Sequence, residues 1–263
     1  TPKGMNWFKG LYDLGKGPDP DWASEQWTTL DGGNVPASEI EAARKDLDEK
    51  IFRQEYEATF ESFQGVIAHN YSEANLKVIE QPIPAKQIII GMDFNISPAT
   101  AVCHIRTANG LHAFDEIRML NSNTDEMVAE IKNRFPSSQI IVFPDNSGIA
   151  RKTSAGGRTD VSILQNGGFI VKIKSKNPPV RDRINAFNAL LKNANGDIRY
   201  TIDPKCKYLI QSIERYTYKL DTMVPDKSSG MDHMFDAASY AVEFLYPITR
   251  DIKPDNTNTF GVW

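Results

Sequence analysis

The hydrophobic pattern is clearest between residues 87 and 94, where Gln87 is followed by three isoleucines, Gly91, a methionine and Asp93. A short apolar run rich in β-branched residues is typical of a strand buried on both faces of an α/β sheet. Asp93 would lie at the end of that strand, where a buried carboxylate is costly unless a cation pairs with it. The alternative is that Asp93 caps the turn formed by Asn95, Ser97 and the proline after it.

The pattern that follows predicts the element order βββαβαβα for the rest of the chain. The predicted strands cover residues 88–94, about 100–106, about 111–118, 139–143 and 198–202. The predicted helices begin near residue 123 and cover 180–193, 205–216 and 232–246. Asn109-Gly110 is a hairpin signal between the second and third strands. Strands that alternate with helices indicate an α/β domain.

The N-terminal part has a different pattern. Residues 1 to about 36 show little periodicity, and we expect irregular structure in which Trp7, Trp22 and Trp27 anchor onto another surface. A long amphipathic helix is predicted to follow, with Ser38 as its N-cap and Glu41 completing a capping box.

A proline-punctuated connector at residues 80–85 marks the predicted domain boundary. We therefore expect an N-terminal linker segment over residues 1–85, one α/β domain over 86–250 and a loosely ordered tail over 251–263. The chain begins Thr1-Pro2 rather than with methionine, so we expect a fragment of a longer polypeptide.

Composition narrows the class of protein. Hydrophobic residues make up 40% of the 263 residues and charged residues 24%, as in an ordinary globular protein. No apolar run is long enough to cross a membrane, and there is no signal-peptide pattern. Cys103 and Cys206 lack metal-ligand spacing, which favours buried thiols in a reducing compartment over a disulfide.

Charge is distributed unevenly. The formal net charge of −4 argues weakly against a nucleic-acid partner. Residues 151–183, however, contain eight basic and two acidic residues, a local charge of +6. A cluster of one sign beside a site is better explained by a phosphate backbone than by surface solvation. The candidate DNA-binding residues are Arg151, Lys152, Arg158, Lys172, Lys174, Lys176, Arg181 and Arg183. The alternation of the three middle lysines predicts one face of a strand edge.

Acidic side chains converge on one predicted site. If the first and fourth strands are adjacent and parallel, Asp93 and Asp145 emerge side by side at the crevice where α/β sheets hold ligands. On the last helix Asp232, His233 and Asp236 share about a third of the circumference. Asp232 is interpreted as an N-cap, whereas Asp236 belongs to a packed face. Such oxygen ligands suit Mg²⁺ or Mn²⁺, and two ions roughly 4 Å apart can hydrolyse a phosphodiester.

These residues resemble a known family, the nuclease domain of the large terminase subunit of tailed bacteriophages. The resemblance implies an RNase H-like mixed central sheet flanked by helices. It rests on Ile-Gly-Met-Asp93-Phe, Val-Phe-Pro-Asp145-Asn-Ser-Gly, Arg183-Ile-Asn-Ala-Phe-Asn, Ile202-Asp-Pro-Lys-Cys-Lys and Asp232-His-Met-Phe-Asp236-Ala-Ala-Ser-Tyr. The segment from Trp27 to Tyr56 resembles the end of the terminase ATPase domain and its linker, but no Walker A loop is present.

The resemblance implies an endonuclease that cuts concatemeric viral DNA with little sequence preference in the host cytoplasm. Asp93, Asp145 and Asp236 would be catalytic metal ligands, and His233 would join them in some members. The implied partners are double-stranded DNA, the portal protein, the small terminase subunit and the ATPase domain of the same polypeptide.

Two rival hypotheses remain open. One is a DNA-gripping or docking module that is inactive in isolation. The other is an actin-like or sugar-kinase-like phosphotransferase, because Asp93, Asn95 and Ser97 faintly resemble a phosphate-binding turn. The second rival lacks a further glycine-rich phosphate loop.

Overall fold

The computed structural model describes residues 7–61, 65–80, 86–149, 158–220 and 222–248. Within these ranges six strands form one mixed sheet. They are β1 (Gln87–Asp93), β2 (Ala99–Arg106), β3 (Leu111–Met119), β4 (Gln139–Pro144), β5 (Ile170–Val171) and β6 (Tyr200–Ile202). Their spatial order is β5-β4-β1-β2-β3-β6. The predicted mixed central sheet is therefore confirmed, and the short strand β5 was missed.

Nine α-helices surround or precede this sheet in the described ranges. They are α1 (Trp7–Leu14), α2 (Thr29–Gly32), α3 (Ala37–Asp46), α4 (Glu49–Tyr56), α5 (Thr124–Arg134), α6 (Asp160–Asn166), α7 (Val180–Leu191), α8 (Lys207–Arg215) and α9 (Asp232–Leu245). The sequence pattern placed both ends of α7, α8 and α9 to within about two residues and the start of α5 to within about one, but it missed α1, α2 and α6. In the described ranges, no helix has the length and apolarity that crossing a bilayer would require.

The register of the sheet brings the predicted strand ends together. Strand β1 runs parallel to β4, with Met92 opposite Pro144, and antiparallel to β2, with Asp93 opposite Thr100. The predicted adjacency of the first and fourth strands is thus confirmed. Strands β2 and β3 form the expected hairpin, closed by a hydrogen bond from the Thr107 amide to the Gly110 carbonyl at 3.0 Å.

The sheet is buried on both faces, which explains the continuous apolar run in β1. One core contains Ile89 together with side chains of α7, α8 and α9. The other contains Ile88, Ile90 and Met92 together with side chains of α5 and α6. Because successive side chains of a strand point to opposite faces, β1 needs apolar residues at nearly every position.

Helix α9 lies unusually close to β1. A Cβ atom added at Gly91 would fall 2.0 Å from the carbonyl oxygen of Ala237, a distance that no side chain tolerates. The facing residues of α9, Ala237, Ala238 and Ala241, are fully buried and small. Glycine at position 91 is therefore required by the close approach of the helix, and it fixes the height of α9 above the sheet.

Two predictions for the N-terminal part are wrong. The single long helix is broken into α3 and α4, because the buried Asp48 side chain accepts hydrogen bonds from the Lys50 and Ile51 amides and caps a new helix. Ser38 is not the N-cap of α3, because that helix begins at Ala37, with Pro36 at the cap and no side-chain cap bond.

Other expectations for this part are tested only in part. Trp7 and Trp27 are 76% and 70% exposed, so they do not anchor against the described part of the chain. Residues 65–80 pack with the sheet domain, since Ile67 is fully buried in its core and the Asn75 amide donates to the Leu191 and Tyr200 carbonyls. The tail 251–263 and most of the predicted connector lie outside the described residues.

Both cysteines are buried and free, as the composition predicted. Burial raises the pKa of the Cys103 thiol and of the Cys206 thiol well above the ordinary value.

The substitution Gly91→Ala tests the packing of α9. We expect it to lower the free energy of unfolding by about 1–3 kcal/mol, because the added methyl group must displace the helix backbone. Urea denaturation measures the change. Gly32→Ala is the matched control, since a Cβ there meets no atom within 4 Å. Equal stabilities for the two variants would contradict the close approach described above.

Candidate active site

Two carboxylates meet where β1 and β4 end. Asp93 is the last residue of β1, and Asp145 directly follows β4. The Asp145 amide donates a hydrogen bond to the Met92 carbonyl at 3.3 Å, which holds the two strand ends side by side. Burial raises the pKa of Asp145, a hydrogen bond from Ser147 opposes that shift, and the charge of Asp93 adds to it. The negative charge of the two carboxylates is therefore not fully compensated, which favours binding of a cation or a proton.

His233 on the first turn of α9 completes this end of the site. Its Nδ1 lies 3.3 Å from Asp93 Oδ2 and 3.0 Å from the Asn95 side-chain amide. The Thr100 hydroxyl donates to the His233 carbonyl at 3.1 Å and ties the helix to β2. The hydrogen bond with Asp93, aided by the charges of the acids around it, raises the pKa of His233 although burial opposes the shift. The predicted contact between the last helix and the first strand is therefore present.

Asp236 lies in a separate, cationic environment. Its Oδ1 accepts from Arg183 Nη1 at 2.8 Å, and its Oδ2 accepts from Lys227 Nζ at 2.9 Å. Arg183 is only 3% exposed, donates also to the Ser239 hydroxyl, and packs over the Tyr240 ring. The expectation that Arg183 contributes to a DNA-binding surface is corrected here, because its guanidinium is buried and paired with a carboxylate.

Asp232 is not an N-cap. The N-cap of α9 is Met231, and it forms no side-chain cap bond. Asp232 is buried instead, with Oδ2 3.2 Å from Lys227 Nζ. Its Oδ1 is buried, lies 3.9 Å from His233 Nε2, and has no hydrogen-bond partner among the described residues. An ionised oxygen in this state is costly, so the site has a place for one more cation or donor.

The predicted ligands and Asp232 thus form two groups of contacts rather than one. Asp93 contacts His233 and lies next to Asp145, whereas Asp232 and Asp236 share Lys227. Among the described residues no three His, Cys, Asp or Glu side chains form a group that could hold a metal ion. Magnesium is, however, commonly bound by one or two carboxylates with water and substrate phosphates completing its shell. The carboxylate pair and the orphaned Asp232 oxygen fit such a cation, while Asp236 is already satisfied by two side chains.

The basic segment is less uniform than its sequence. Arg151 and Lys152 lie outside the described residues. Arg158 is 3.2 Å from Asp125, and Lys174 pairs with the buried Glu243. The alternation of Lys172, Lys174 and Lys176 on a strand is wrong, because β5 already ends at residue 171 and the lysines follow it. The exposed members of the segment are Lys172, Lys176, Arg181 and Arg158.

Several residues of the site escaped the sequence analysis. Lys227 lies on a short turn before α9, and nothing in its local sequence indicates that it bridges two acids. A cavity of about 340 Å³ opens beside Asp93 and is lined by Asn95, Asn123, Thr124 and Asp160. Its walls come from segments far apart in the chain, so only the fold shows it.

Comparison with known proteins places this geometry in a family. A model described as the terminase RNase H-like domain matches residues 90–244. The chain belongs to this terminase family. It is 24% identical over 269 residues to the large terminase subunit of Escherichia phage T5, which covers 95% of this chain and 57% of that relative. The chain therefore spans little more than half the length of this relative.

Solved terminase structures share the fold. The large terminase of a thermophilic bacteriophage superposes with a TM-score of 0.65 at 18% identity, covering 93% of this chain and 61% of that one. The P22 large terminase nuclease domain gives a TM-score of 0.54 at 16% identity and covers 72% and 97%. At these identities the likeness shows the fold alone, and the predicted RNase H-like fold is confirmed.

The buried ion pair predicts a large effect of Arg183. The substitution Arg183→Met should lower the free energy of unfolding by about 3–5 kcal/mol, because it leaves Asp236 as a buried carboxylate without its buried partner. Combining it with Asp236→Asn should restore much of the loss. Arg181→Met is the matched control, since this exposed arginine lies two residues earlier on the same helix and should change stability by less than about 0.5 kcal/mol. Urea denaturation of the four proteins would contradict the pairing if Arg183 and Arg181 behaved alike.

The environment of His233 predicts a pH dependence in divalent-free buffer. Because its pKa is raised on folding, the histidine stabilises the protein most below its ordinary pKa, and this contribution is lost as pH rises through the raised value. Replacing it in His233→Gln should therefore cost more stability at about pH 5.5 than at about pH 8. His112→Gln should show the opposite trend, because burial lowers the pKa of His112. Two trends of the same sign in urea denaturation would refute this account.

Proposed function

We propose that this terminase-family domain is a divalent-metal-dependent endodeoxyribonuclease that cuts concatemeric viral DNA during genome packaging with little sequence preference. The observation that carries the proposal is the pair of carboxylates, Asp93 and Asp145, at adjacent strand ends, with His233 in contact with Asp93. The P22 protein of the same fold is named a nuclease domain, and this supports the assignment by analogy. Nothing in the described residues resembles a base-reading module.

The residues present fit Mg²⁺ or Mn²⁺. Asp93 and Asp145 would hold the ion, which supplies an activated water and stabilises the leaving oxygen of the phosphodiester. The carboxylates of Asp232 and Asp236 would hold a second ion only if Lys227, which now pairs with both, moved away. Lys227 is 54% exposed on its side chain and can move into solvent, whereas Arg183 is enclosed.

Neighbouring side chains fix the orientation of the candidate ligands. Asn95 donates to Asp93 and contacts His233, so it restricts the carboxylate and the imidazole ring at the strand end. Thr100 fixes the first turn of α9 through the His233 carbonyl. Arg183 holds Asp236 in one orientation, which prevents the buried acid from rotating away from the crevice. Such fixed groups cost no reorganisation during the reaction.

The two rivals are less well supported. In the phosphotransferase hypothesis Asn95 and Ser97 would belong to a phosphate-binding turn, but the Asn95 amide is engaged by Asp93 and His233. Family membership also argues against it. A DNA-gripping module that is inactive in isolation would use the same fold, and only an assay of cleavage separates it from the nuclease.

The cellular setting follows from the same proposal. The longer polypeptide would carry the ATPase domain, and the portal protein, the small terminase subunit and concatemeric double-stranded DNA would be its partners. The work would take place in the host cytoplasm, where the packaging motor assembles.

The decisive experiment is the nicking of supercoiled plasmid by the purified chain. We expect cleavage with Mn²⁺ or Mg²⁺ and none with EDTA. Asp93→Asn and Asp145→Asn should each lower the rate by orders of magnitude, because they remove the charge that would hold the cation. Asp236→Asn should also impair cleavage, and His233→Ala should cost less.

Asp21→Asn is the matched control, because this exposed acid lies between α1 and α2, outside the carboxylate pair and the basic segment. It should cleave at close to the original rate. Undiminished cleavage by a well-folded Asp93→Asn protein, or robust cleavage in EDTA, would refute the metal mechanism. Failure of the unaltered chain to cut under all conditions would favour the gripping module.

A further inference from the structure

A row of paired residues crosses the sheet from the carboxylates to the far side of the site. Asp93 of β1 is opposite Thr100 of β2, and Thr100 is opposite Arg118 of β3. Residues directly opposite each other in antiparallel strands project from the same face. Arg118 therefore projects from the face that carries α9, at a backbone distance of roughly 10 Å, or two strand spacings, from Asp93.

Helix α8 brings further cations to Arg118. The Arg118 guanidinium stacks over the Tyr208 ring, 5.1 Å from its centroid. The carboxylate of Glu116 accepts the backbone amides of Tyr208 and Leu209 and anchors the start of α8 beside β3. The exposed residues gathered there, hereafter the β3–α8 patch, are Arg118, Lys205, Lys207, Tyr208 and Arg215. All of them except Arg118 line a groove of about 530 Å³.

The patch adjoins the proposed catalytic end of α9. The Ser212 hydroxyl, one turn along α8 from Tyr208, donates to the Met231 carbonyl and accepts from the Phe235 amide. These two residues flank the turn that carries Asp232 and His233. The same turn is held by Thr100, the residue between Asp93 and Arg118 in the sheet. The patch is thus a continuation of the site rather than a remote surface.

The cations of this patch differ from three of those in the basic segment (residues 151–183) in that they form no ion pairs with the part of the chain that the structure describes. None of its four cations forms an ion pair with another residue in the described ranges, whereas Arg158, Lys174 and Arg183 are all paired with acids. Glu116 lies in the patch but is engaged by the helix amides, and Glu214 is an exposed acid in the groove. Exposed, unpaired cations are the ones that release counterions when they meet a phosphate chain.

We propose that the β3–α8 patch binds the phosphate backbone of duplex DNA on the β3 side of the Asp93–Asp145 pair. This inference rests on the proposed nuclease function and adds a substrate-binding surface to it. Lys172 and Lys176 follow β5 on the opposite flank, so DNA crossing the strand ends meets cations on both sides of the carboxylates. The stretch from β5 to β3 spans four strand spacings, roughly 19 Å or five to six base pairs.

The test is the salt dependence of DNA binding. The variant Arg118→Gln/Lys207→Gln is compared with Lys86→Gln/Lys132→Gln, which removes the same charge elsewhere. Lys86 precedes β1 at the end of the sheet remote from Asp93, and Lys132 lies on α5 on the other face. Fluorescence anisotropy of a labelled duplex is measured in EDTA between about 50 and 200 mM salt.

We expect the patch variant to bind more weakly and to flatten the slope of log affinity against log salt by about 1.8, since each lost phosphate contact removes about 0.9. The control variant should keep the original slope, and all thermal midpoints should agree. Equal slopes for the two variants would overturn the inference, because the patch would then make no phosphate contact. Failure of the unaltered chain to bind duplex at low salt would also overturn it.

Cleavage separates this inference from the proposed function. With Mn²⁺ the patch variant should require more DNA for half-maximal rate but keep its maximal rate, because the carboxylates are untouched. A chain that binds through the patch without cutting would sustain the inference while refuting the nuclease. A chain that cuts DNA with equal slopes for both variants would sustain the nuclease and refute the patch.

Discussion

The separation between helix α9 and strand β1 is the constraint on which the site depends. It is set at Gly91, where an added Cβ atom would meet the Ala237 main chain and the Ala241 methyl group. At this distance the first turn of the helix brings His233 to Asp93 and lets Thr100 reach its backbone. A larger separation between α9 and β1 would leave both strand carboxylates facing solvent, because the helix would no longer cover them. The small residues of α9 therefore position the candidate site as well as fill the core.

The charges around that helix are divided between two roles. Burial and the charge of Asp93 both raise the pKa of Asp145, and a bound cation would relieve this unfavourable state. The charge of Asp236 is instead neutralised by the buried Arg183 guanidinium, and the charge of Asp236 raises the pKa of Arg183. A buried pair of this kind contributes less to stability than to a single orientation of its carboxylate. The site thus combines the Asp93–Asp145 pair, whose charge is not fully compensated, with Asp236, which lies one turn after His233 on α9 and whose charge is paired with Arg183.

The sequence predicted the strands and helices far more readily than it predicted which side chains contact each other. The strand that ends in Asp93 and its parallel neighbour ending before Asp145 follow from local apolar runs and the rules for parallel sheets. The pairing of Arg183 with Asp236 joins residues 53 positions apart, and periodicity carries no information about it. The same limit explains the break at Asp48, whose burial depends on tertiary packing, and the position of Lys227. Residue type indicated the chemistry, but contact geometry assigned each charge its partner.

The two inert thiols give the chain an unusual experimental property. Cys103 and Cys206 are the only cysteines in the sequence, and both are buried with raised pKa values. Maleimide reagents attack exposed thiolates, so they leave such residues largely unmodified in the folded protein. One cysteine introduced on the surface would then be the sole attachment point for a fluorophore or spin label. A label at that cysteine can therefore measure distances between the protein and a DNA end without prior removal of either natural cysteine.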